Sequence, residues 1–237
     1  MKLAISGTYS SGKTVTSYGL SYLVNIPRSR ARTMRELLPE TVPGKTLEQC
    51  TAAELIALIV CRHGERAVQE SHLGDTFVSD GTSLQEWIYG SVRVIVGINP
   101  NDSVHLLEME TVERTSEMVF FEAVMEQLGH LFKRHVKKTY DAFVHLPNEL
   151  ALSADGHRPV NDRFRNMADE QIKRTAVELG IPLHVVGGTI PERLNRIVEI
   201  FGLTPVMSTD EAIARAHEEY QAIDMTTEFD RASVLVR

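Results

Sequence analysis

The chain has 237 residues, of which 43% are hydrophobic and 24% charged, and this composition excludes a disordered or low-complexity protein. Its 25 Lys and Arg residues are outnumbered by 32 Asp and Glu residues, so the net charge of −7 disfavours a nucleic-acid-binding protein. No apolar run approaches the roughly 18 residues of a membrane-spanning helix, and the first residues turn polar too early for a signal peptide. We therefore expect neither a nucleic-acid nor a membrane partner.

The first predicted elements are a strand, a glycine-rich turn and a helix. The apolar run Leu3-Ala4-Ile5 predicts the strand, and a helical pattern follows from Lys13 to about Leu23. A second apolar patch at residues 23–26, ended by Pro27, predicts another short strand.

A capping pattern formed by Thr46 and Gln49 predicts a helix that continues to about Ser71. This helix would carry both cysteines, Cys50 and Cys61. Eleven positions in a helix span about 16 Å, which no disulfide can bridge. Two buried thiols are typical of a reducing compartment, so we expect a cytoplasmic protein.

Strands and helices alternate in the remainder of the chain. The apolar runs predict strands at residues 75–80, 141–146 and 183–186, and the periodic segments predict helices at residues 83–96, 112–136, 162–180, 190–201 and after Ser208. Strands separated by helices indicate a parallel sheet that is covered on both faces. We expect one domain over residues 1–237, with a helical insertion at about residues 97–137.

The residues Gly7-Thr8-Tyr9-Ser10-Ser11-Gly12-Lys13-Thr14 match the phosphate-binding pattern G-x-x-x-x-G-K-[ST] between the predicted strand and helix. Gly7 and Gly12 allow the backbone to turn so that successive N–H groups converge on a phosphate. Lys13 would neutralise the β- and γ-phosphates, and the Thr14 hydroxyl would bind Mg²⁺. The alternative is a glycine-rich turn without a ligand.

Asp80 ends a predicted parallel strand, which places it at the same sheet edge as the phosphate loop. A carboxylate there can help to hold Mg²⁺, or it can act as the general base that accepts a proton from a substrate hydroxyl. The alternative is that Asp80 only caps the following helix.

Three arginines, Arg158, Arg163 and Arg165, flank the start of a late helix. Arginines on a mobile lid can stabilise the charge of a transferring phosphoryl group and exclude water. We predict a lid at about residues 151–165, with Arg158 and Arg165 as catalytic residues. A solvated, charged helix start is the alternative.

Taken together, Ser-Gly-Thr-x-Ser-Ser-Gly-Lys-Thr, the strand Phe-Val-Ser-Asp, Asp-Gly-x-Arg followed by Phe-Arg, and the closing segment from Gly188 to Arg193 resemble the AAA_28-type P-loop domains. That group includes the bacterial nicotinamide riboside kinase domain and is similar in outline to nucleoside and thymidylate kinases. The resemblance spans about residues 1–201.

The resemblance implies the P-loop NTPase fold, an α/β three-layer sandwich whose five-stranded, mostly parallel sheet has helices on both faces. It also implies ATP and Mg²⁺ as cofactors, with Thr14 and Asp80 at the metal and Gly188 and Arg193 near the adenine. The expected nucleotide contacts are Gly7, Tyr9, Ser10, Ser11, Gly12, Lys13, Thr14, Val15, Arg163, Gly188 and Arg193.

Other residues keep two interpretations. In the arginine-dense segment at residues 28–35, Arg32 could bind an anionic group of the acceptor, or the segment could be a solvated basic surface. Trp87 and Tyr89 could stack on a planar acceptor or pack in the core. His145, near a strand end, is a weaker candidate for a substrate contact.

The motifs predict a small-molecule kinase that transfers the γ-phosphate of Mg·ATP to a nucleoside, a nucleotide or a similar hydroxyl metabolite. A regulatory ATPase or GTPase switch that acts on a protein partner is the alternative, and a nucleotide-binding protein without chemistry is a weaker one. The preference for ATP over GTP and the formation of a homodimer are left open.

Overall fold

The computed structural model describes residues 1–106, 110–151 and 161–222. The strands are β1 Lys2–Ser6, β2 Arg28–Ser29, β3 Phe77–Asp80, β4 Ala142–His145 and β5 Leu183–Val185. The α-helices are α1 Lys13–Val24, α2 Met34–Thr41, α3 Ala52–His72, α4 Ser83–Val96, α5 Ser116–Thr139, α6 Asp162–Glu178, α7 Ile190–Phe201 and α8 Thr209–Gln221. Short 3-10 helices occupy Leu47–Gln49 and Pro100–Ser103.

The described strands form one sheet in the order β2-β3-β1-β4-β5. Every neighbouring pair in this sheet is parallel, so the expectation of a mostly parallel sheet is met by a fully parallel one. All carboxyl ends of the strands therefore lie at the same edge, which is where ligands bind in open α/β sheets.

The two faces of the sheet bury alternate residues of β1. Leu3 and Ile5 pack with α1, α7 and α8, whereas Ala4 belongs to the core formed with α3, α4, α5 and α6. This period of two is the geometry of a strand that is buried on both sides. The predicted three-layer α/β sandwich is confirmed.

The predicted strand at residues 23–26 is wrong. Leu23 and Val24 form the last turn of α1, and their side chains are buried against the sheet. Asn25 adopts a left-handed conformation with φ of 51°, and its N–H bonds the last carbonyls of the helix. Because Asn tolerates this conformation, it ends the helix, and the strand begins only at Arg28.

The helix predicted from Thr46 is divided. Thr46 and Gln49 cap only a 3-10 turn, while the long helix α3 is capped by Thr51 and Glu54. Cys50 lies in the break between them and is buried, but Cys61 is exposed on α3, so the expectation that both thiols are buried is wrong. Both are free cysteines.

Candidate active site

The phosphate-loop motif forms a tight turn between β1 and α1. Gly7 and Gly12 have φ values of 141° and 87°, and Ser10 has a φ of 59°. A Cβ atom on Gly7 would lie 2.7 Å from the Leu146 carbonyl oxygen and 2.7 Å from Ser11 Oγ. Only glycine fits there, because both the backbone angle and the space exclude a side chain.

Side chains hold this loop in its curved form. Ser11 Oγ donates a hydrogen bond to the Thr8 carbonyl at 2.8 Å, and Gln85 Nε2 of α4 donates to the Gly7 carbonyl at 2.9 Å. Lys13 Nζ also donates to the Thr8 carbonyl, so its ammonium group lies against the loop. The loop is therefore preformed, with the cation that would meet a phosphate already beside it.

Arg193 is a buried side chain that is hydrogen-bonded to the backbone of the phosphate loop. Its side chain is only 1% exposed, and Nη1 donates to the Ser11 carbonyl at 2.7 Å. Nη2 lies 3.1 Å from Glu149 Oε2, which also accepts the Gly188 N–H at 2.9 Å. Gly188 and Arg193 thus meet at Glu149, a residue that the sequence analysis did not single out. Their contact with adenine stays a prediction.

Arg165, at the start of α6, points towards the same loop. Its Nε donates to Thr8 Oγ1 at 3.3 Å, and its Nη1 donates to the Leu150 carbonyl at 2.8 Å. Arg163 instead donates to the Glu110 carbonyl at 2.7 Å. Arg158 lies outside the described residues. Of the predicted lid arginines within the described residues, Arg165 thus contacts the phosphate loop, at Thr8.

Asp80 lies next to the phosphate loop because of the strand register. In the parallel pair of β1 and β3, Asp80 is the partner of Ile5, two residues before Gly7. The helix that follows, α4, is capped by Thr82 and Gln85. Asp80 is therefore not the cap of α4, and its role at the metal or as a general base stays a prediction.

A buried arginine positions the turn after Asp80. Arg66 of α3 is 0% exposed, and its Nη1 donates to Ser79 Oγ at 3.0 Å and to the carbonyls of Asp80 and Gly81 at 3.1 Å each. Glu70, one helical turn later, lies 3.8 Å from Arg66. The backbone at the carboxyl end of β3 is therefore fixed by a side chain from a neighbouring helix.

Glu70 is itself held by several groups. It accepts hydrogen bonds from Ser79 Oγ at 2.7 Å and from the Tyr140 hydroxyl at 2.6 Å. Burial raises the pKa of Glu70, but His135, Arg66 and these hydrogen bonds outweigh burial, so the pKa lies below its usual value. Sequence reasoning missed this network, because Arg66 and Glu70 have the spacing of an ordinary surface ion pair.

A cavity of about 470 Å³ extends from the phosphate loop between α2, α3 and α4. The predicted site residues that line it are Tyr9, Ser10, Gly12, Lys13, Thr14, Val15 and Asp80. Tyr89 and Phe164 line it as well, and the ring of Tyr9 lies 6.1 Å from each of their rings. Trp87 instead packs in the core, where its indole N–H donates to the Met125 carbonyl.

The arginine-dense segment is mostly engaged by carboxylates. Arg28 pairs with Glu219, and Arg30 pairs with Glu36. Arg32, the residue proposed to bind an anionic acceptor group, pairs with Glu40 and Glu65. The arginine of this segment that lines the cavity is Arg35.

His145 is fully buried rather than exposed to a substrate. Its Nδ1 lies 3.3 Å from Ser6 Oγ, and its Nε2 lies 3.0 Å from Asp169 Oδ1 of α6. Ser6 is the last residue of β1 before the phosphate loop. His145 therefore links the end of β1 to α6 and has a structural role.

Comparisons with known proteins agree with this geometry. The family model AAA_28, described as an AAA domain, matches residues 2–193. No curated protein sequence matches significantly. Among the described residues, no helix combines the length and apolar composition needed to cross a membrane.

Solved structures of deoxyadenosine kinase from M. mycoides are similar in fold. The structure with the products dCMP and a flexible dCDP, and the structure with bound dCTP, each have a TM-score of 0.54 and 13% identity, covering 85% of this chain and 99% of the other. The structure with bound dATP has a TM-score of 0.52 and 14% identity, covering 85% and 100%. At this identity the likeness establishes the fold, a P-loop kinase-like α/β sandwich.

Proposed function

Since the chain belongs to the AAA_28 family of AAA domains, we propose that it is a kinase that transfers the γ-phosphate of ATP to a nucleoside, a nucleotide or a similar hydroxyl metabolite. The observation that carries this proposal is the shared cavity, in which Lys13, Thr14 and Asp80 face the same space as the aromatic side chains of Tyr89 and Phe164. A switch that only hydrolyses a nucleotide needs the phosphate loop but not an adjoining chamber for a second substrate.

Thr14 and Asp80 fit a magnesium ion by their chemistry. A hydroxyl and a carboxylate are hard oxygen donors, and Mg²⁺ in kinases takes few protein ligands because phosphate oxygens and water supply the others. When bound, the ion would neutralise charge on the β- and γ-phosphates. The described residues contain no group of three or more His, Cys, Asp or Glu side chains that could form a metal site without a phosphate ligand.

The proposed reaction assigns a task to each group, and Asp80 serves both beside Mg²⁺ and as the general base. The acceptor oxygen attacks the γ-phosphorus, a new P–O bond forms, and the bond to the β,γ-bridging oxygen breaks with release of ADP. Asp80 takes the proton of an attacking hydroxyl. Lys13 and the loop N–H groups stabilise the transferring phosphoryl group. Arg165 lies beside the loop residue Thr8, and from there its guanidinium group can turn towards the phosphoryl group.

The test is an acceptor screen with γ-labelled ATP and Mg²⁺. We expect label in a small-molecule product, and we expect Lys13→Ala to reduce transfer by about 10²–10³-fold or more, because the charge beside the γ-phosphate is lost. Lys138→Ala removes an exposed lysine from the last turn of α5 and is the matched control.

Two results would contradict the proposal. Release of inorganic phosphate alone, for every acceptor tested, would favour the regulatory switch. Normal transfer by a folded Lys13→Ala protein would show that the phosphate loop does not act as described. A circular dichroism spectrum and a thermal melt of each variant establish that it is folded.

A further inference from the structure

The turn from Asp80 to Thr82 carries the proposed general base and is held from two sides. On one side, the Gly81 N–H donates to the Ile5 carbonyl of β1 at 3.0 Å. On the other side, Arg66 Nη1 donates to the carbonyls of Asp80 and Gly81. Because Ile5 belongs to the sheet and Arg66 to α3, the position of Asp80 depends on how firmly the Arg66 side chain is held.

Glu70 holds Arg66 from a point outside the cavity. Within the described part of the chain, Arg66 lines the cavity and Glu70 does not. Glu70 Oε1 lies 3.8 Å from Arg66 Nη1, and it accepts hydrogen bonds from Ser29 Oγ at 3.2 Å, Ser79 Oγ at 2.7 Å and the Tyr140 hydroxyl at 2.6 Å. These donors come from β2, from β3 and from the residue after α5. One carboxylate oxygen therefore connects three elements to the arginine.

The contacts of the Arg66–Glu70 pair are not those of a stabilising ion pair. The two side chains are 0% and 2% exposed. Burying two charges costs more than their attraction returns unless their remaining polar atoms are also bonded. Arg66 Nε and Nη2 and Glu70 Oε2 form no hydrogen bond with the described residues. Since apolar side chains of similar size often give equal or higher stability at such positions, the charges point to a task other than stability.

Building on the proposed kinase function, we infer that Glu70 and Arg66 are positioning residues, which keep the Asp80 carboxylate where it can take the proton of the acceptor hydroxyl. Arg66 acts through the backbone of the turn, and Glu70 acts by fixing the guanidinium group. A misplacement of reacting groups by about 1 Å can lower a rate by about 10²-fold. The pair thus affects turnover, while the phosphate loop keeps its own hydrogen bonds from Ser11 and Gln85.

A double substitution that removes both charges tests this inference. Arg66→Met combined with Glu70→Met fills the space with apolar side chains, so the protein should remain folded. We expect kcat to fall by about 10–10²-fold while the affinity for ADP stays within about twofold of wild type, because the phosphate loop is unchanged. Arg174→Met combined with Glu178→Met removes an exposed pair of the same spacing on α6 and is the matched control.

Hydrogen exchange measures the position of the turn without any acceptor. In the double variant the Gly81 N–H should exchange at least about tenfold faster, because the turn loses its bonds to Arg66 and opens more often. The control pair on α6 should leave the exchange of Gly81 as in wild type.

Three results would overturn the inference. These are a folded double variant with the kcat of wild type, unchanged exchange at Gly81, and an equal loss of kcat and of ADP affinity, which would show a general structural role. If the double variant does not fold, Tyr140→Phe carries the test, because it removes one donor to Glu70 and keeps the ring. It should lower kcat at least about threefold without changing ADP affinity, and an unchanged kcat would refute the inference.

Turnover by the wild type separates this inference from the proposed function. If the wild type transfers label to no acceptor, the kinase proposal fails, and hydrogen exchange still reports whether the Arg66–Glu70 pair holds the turn. If the wild type transfers label and the double variant does so equally well, the kinase proposal stands and the positioning role is refuted.

Discussion

The phosphate loop and the cavity beside it adjoin each other, but they are built differently. The loop is one continuous segment, residues 7–14, which presents backbone N–H groups and a single lysine. The cavity depends on long side chains from separate helices, with Arg35 on α2 and Arg93 on α4. The loop is held by hydrogen bonds to its own backbone at Gly7 and Thr8, whereas the cavity is shaped by the packing of side chains.

This difference separates two kinds of recognition. Backbone N–H groups in a fixed curve recognise phosphate geometry and are common to many nucleotide-binding proteins. Side chains that meet only in the folded chain can be exchanged one at a time without altering the loop. We therefore expect substitutions in the loop to affect every reaction of the protein, and substitutions in the cavity to affect the acceptor alone.

Asp80 lies where the two regions meet, and its substitution is expected to have the largest effect in this comparison. Asp80→Asn should lower kcat by about 10²–10⁴-fold, because the amide cannot accept the proton of an attacking hydroxyl. The control is Asp75→Asn, an exposed residue that precedes the opposite end of β3. If steady-state kinetics show a kcat within twofold of wild type, Asp80 is not the general base.

Alanine substitutions at two glycines compare the backbone of the phosphate loop with that of helix α3 beside the cavity. Gly7→Ala should destabilise the protein by about 1–3 kcal/mol, because alanine is strained at that φ, and nucleotide binding should weaken with it. Gly64→Ala, on the exposed side of α3 with no atom within 4 Å of the new methyl group, should stabilise it by about 0.5–1 kcal/mol. Urea unfolding measures both changes, and equal effects would contradict the difference in strain.

Acid should lower the stability of the folded protein through His63 of α3, a helix that lines the cavity. The Nδ1 atom of His63 lies 2.8 Å from Ser83 Oγ. Burial, and then His135 and Arg66, lower the pKa of His63 from 6.5 to about 4. The folded state therefore binds fewer protons than the unfolded state between these values. Stability should fall as the pH decreases from 6.5 towards 4, with a slope approaching about 1.4 kcal/mol per pH unit.

Urea unfolding at pH 7 and pH 5 tests this dependence. His63→Gln should reduce the loss of stability between the two pH values, whereas His72→Gln, at an exposed position of the same helix, should not. An identical loss in the wild type and in His63→Gln would show that other groups cause the acid sensitivity.

The helices, most of the strands and the phosphate loop could be predicted because the sequence patterns that specify them are local. The phosphate-loop motif is contiguous, and caps such as Thr189 with Glu192 lie within one helical turn. The boundary at Asn25 was missed because an apolar helix end and a short buried strand have similar composition. Arg35 and the Arg66–Glu70 pair could not be assigned, since the segments around them come together only in the folded chain.

The link between His145 and Asp169 has a mechanical consequence for α6. Asp169 Oδ1 lies 3.0 Å from His145 Nε2 of β4, which attaches this point of the helix to the sheet. Arg165 lies about 6 Å from it along the axis, whereas the far end at Glu178 lies about 13 Å away. A tilt of the helix about this point would move Arg165 about half as far as the outer end, so a displacement at the surface would reach the phosphate loop reduced in size.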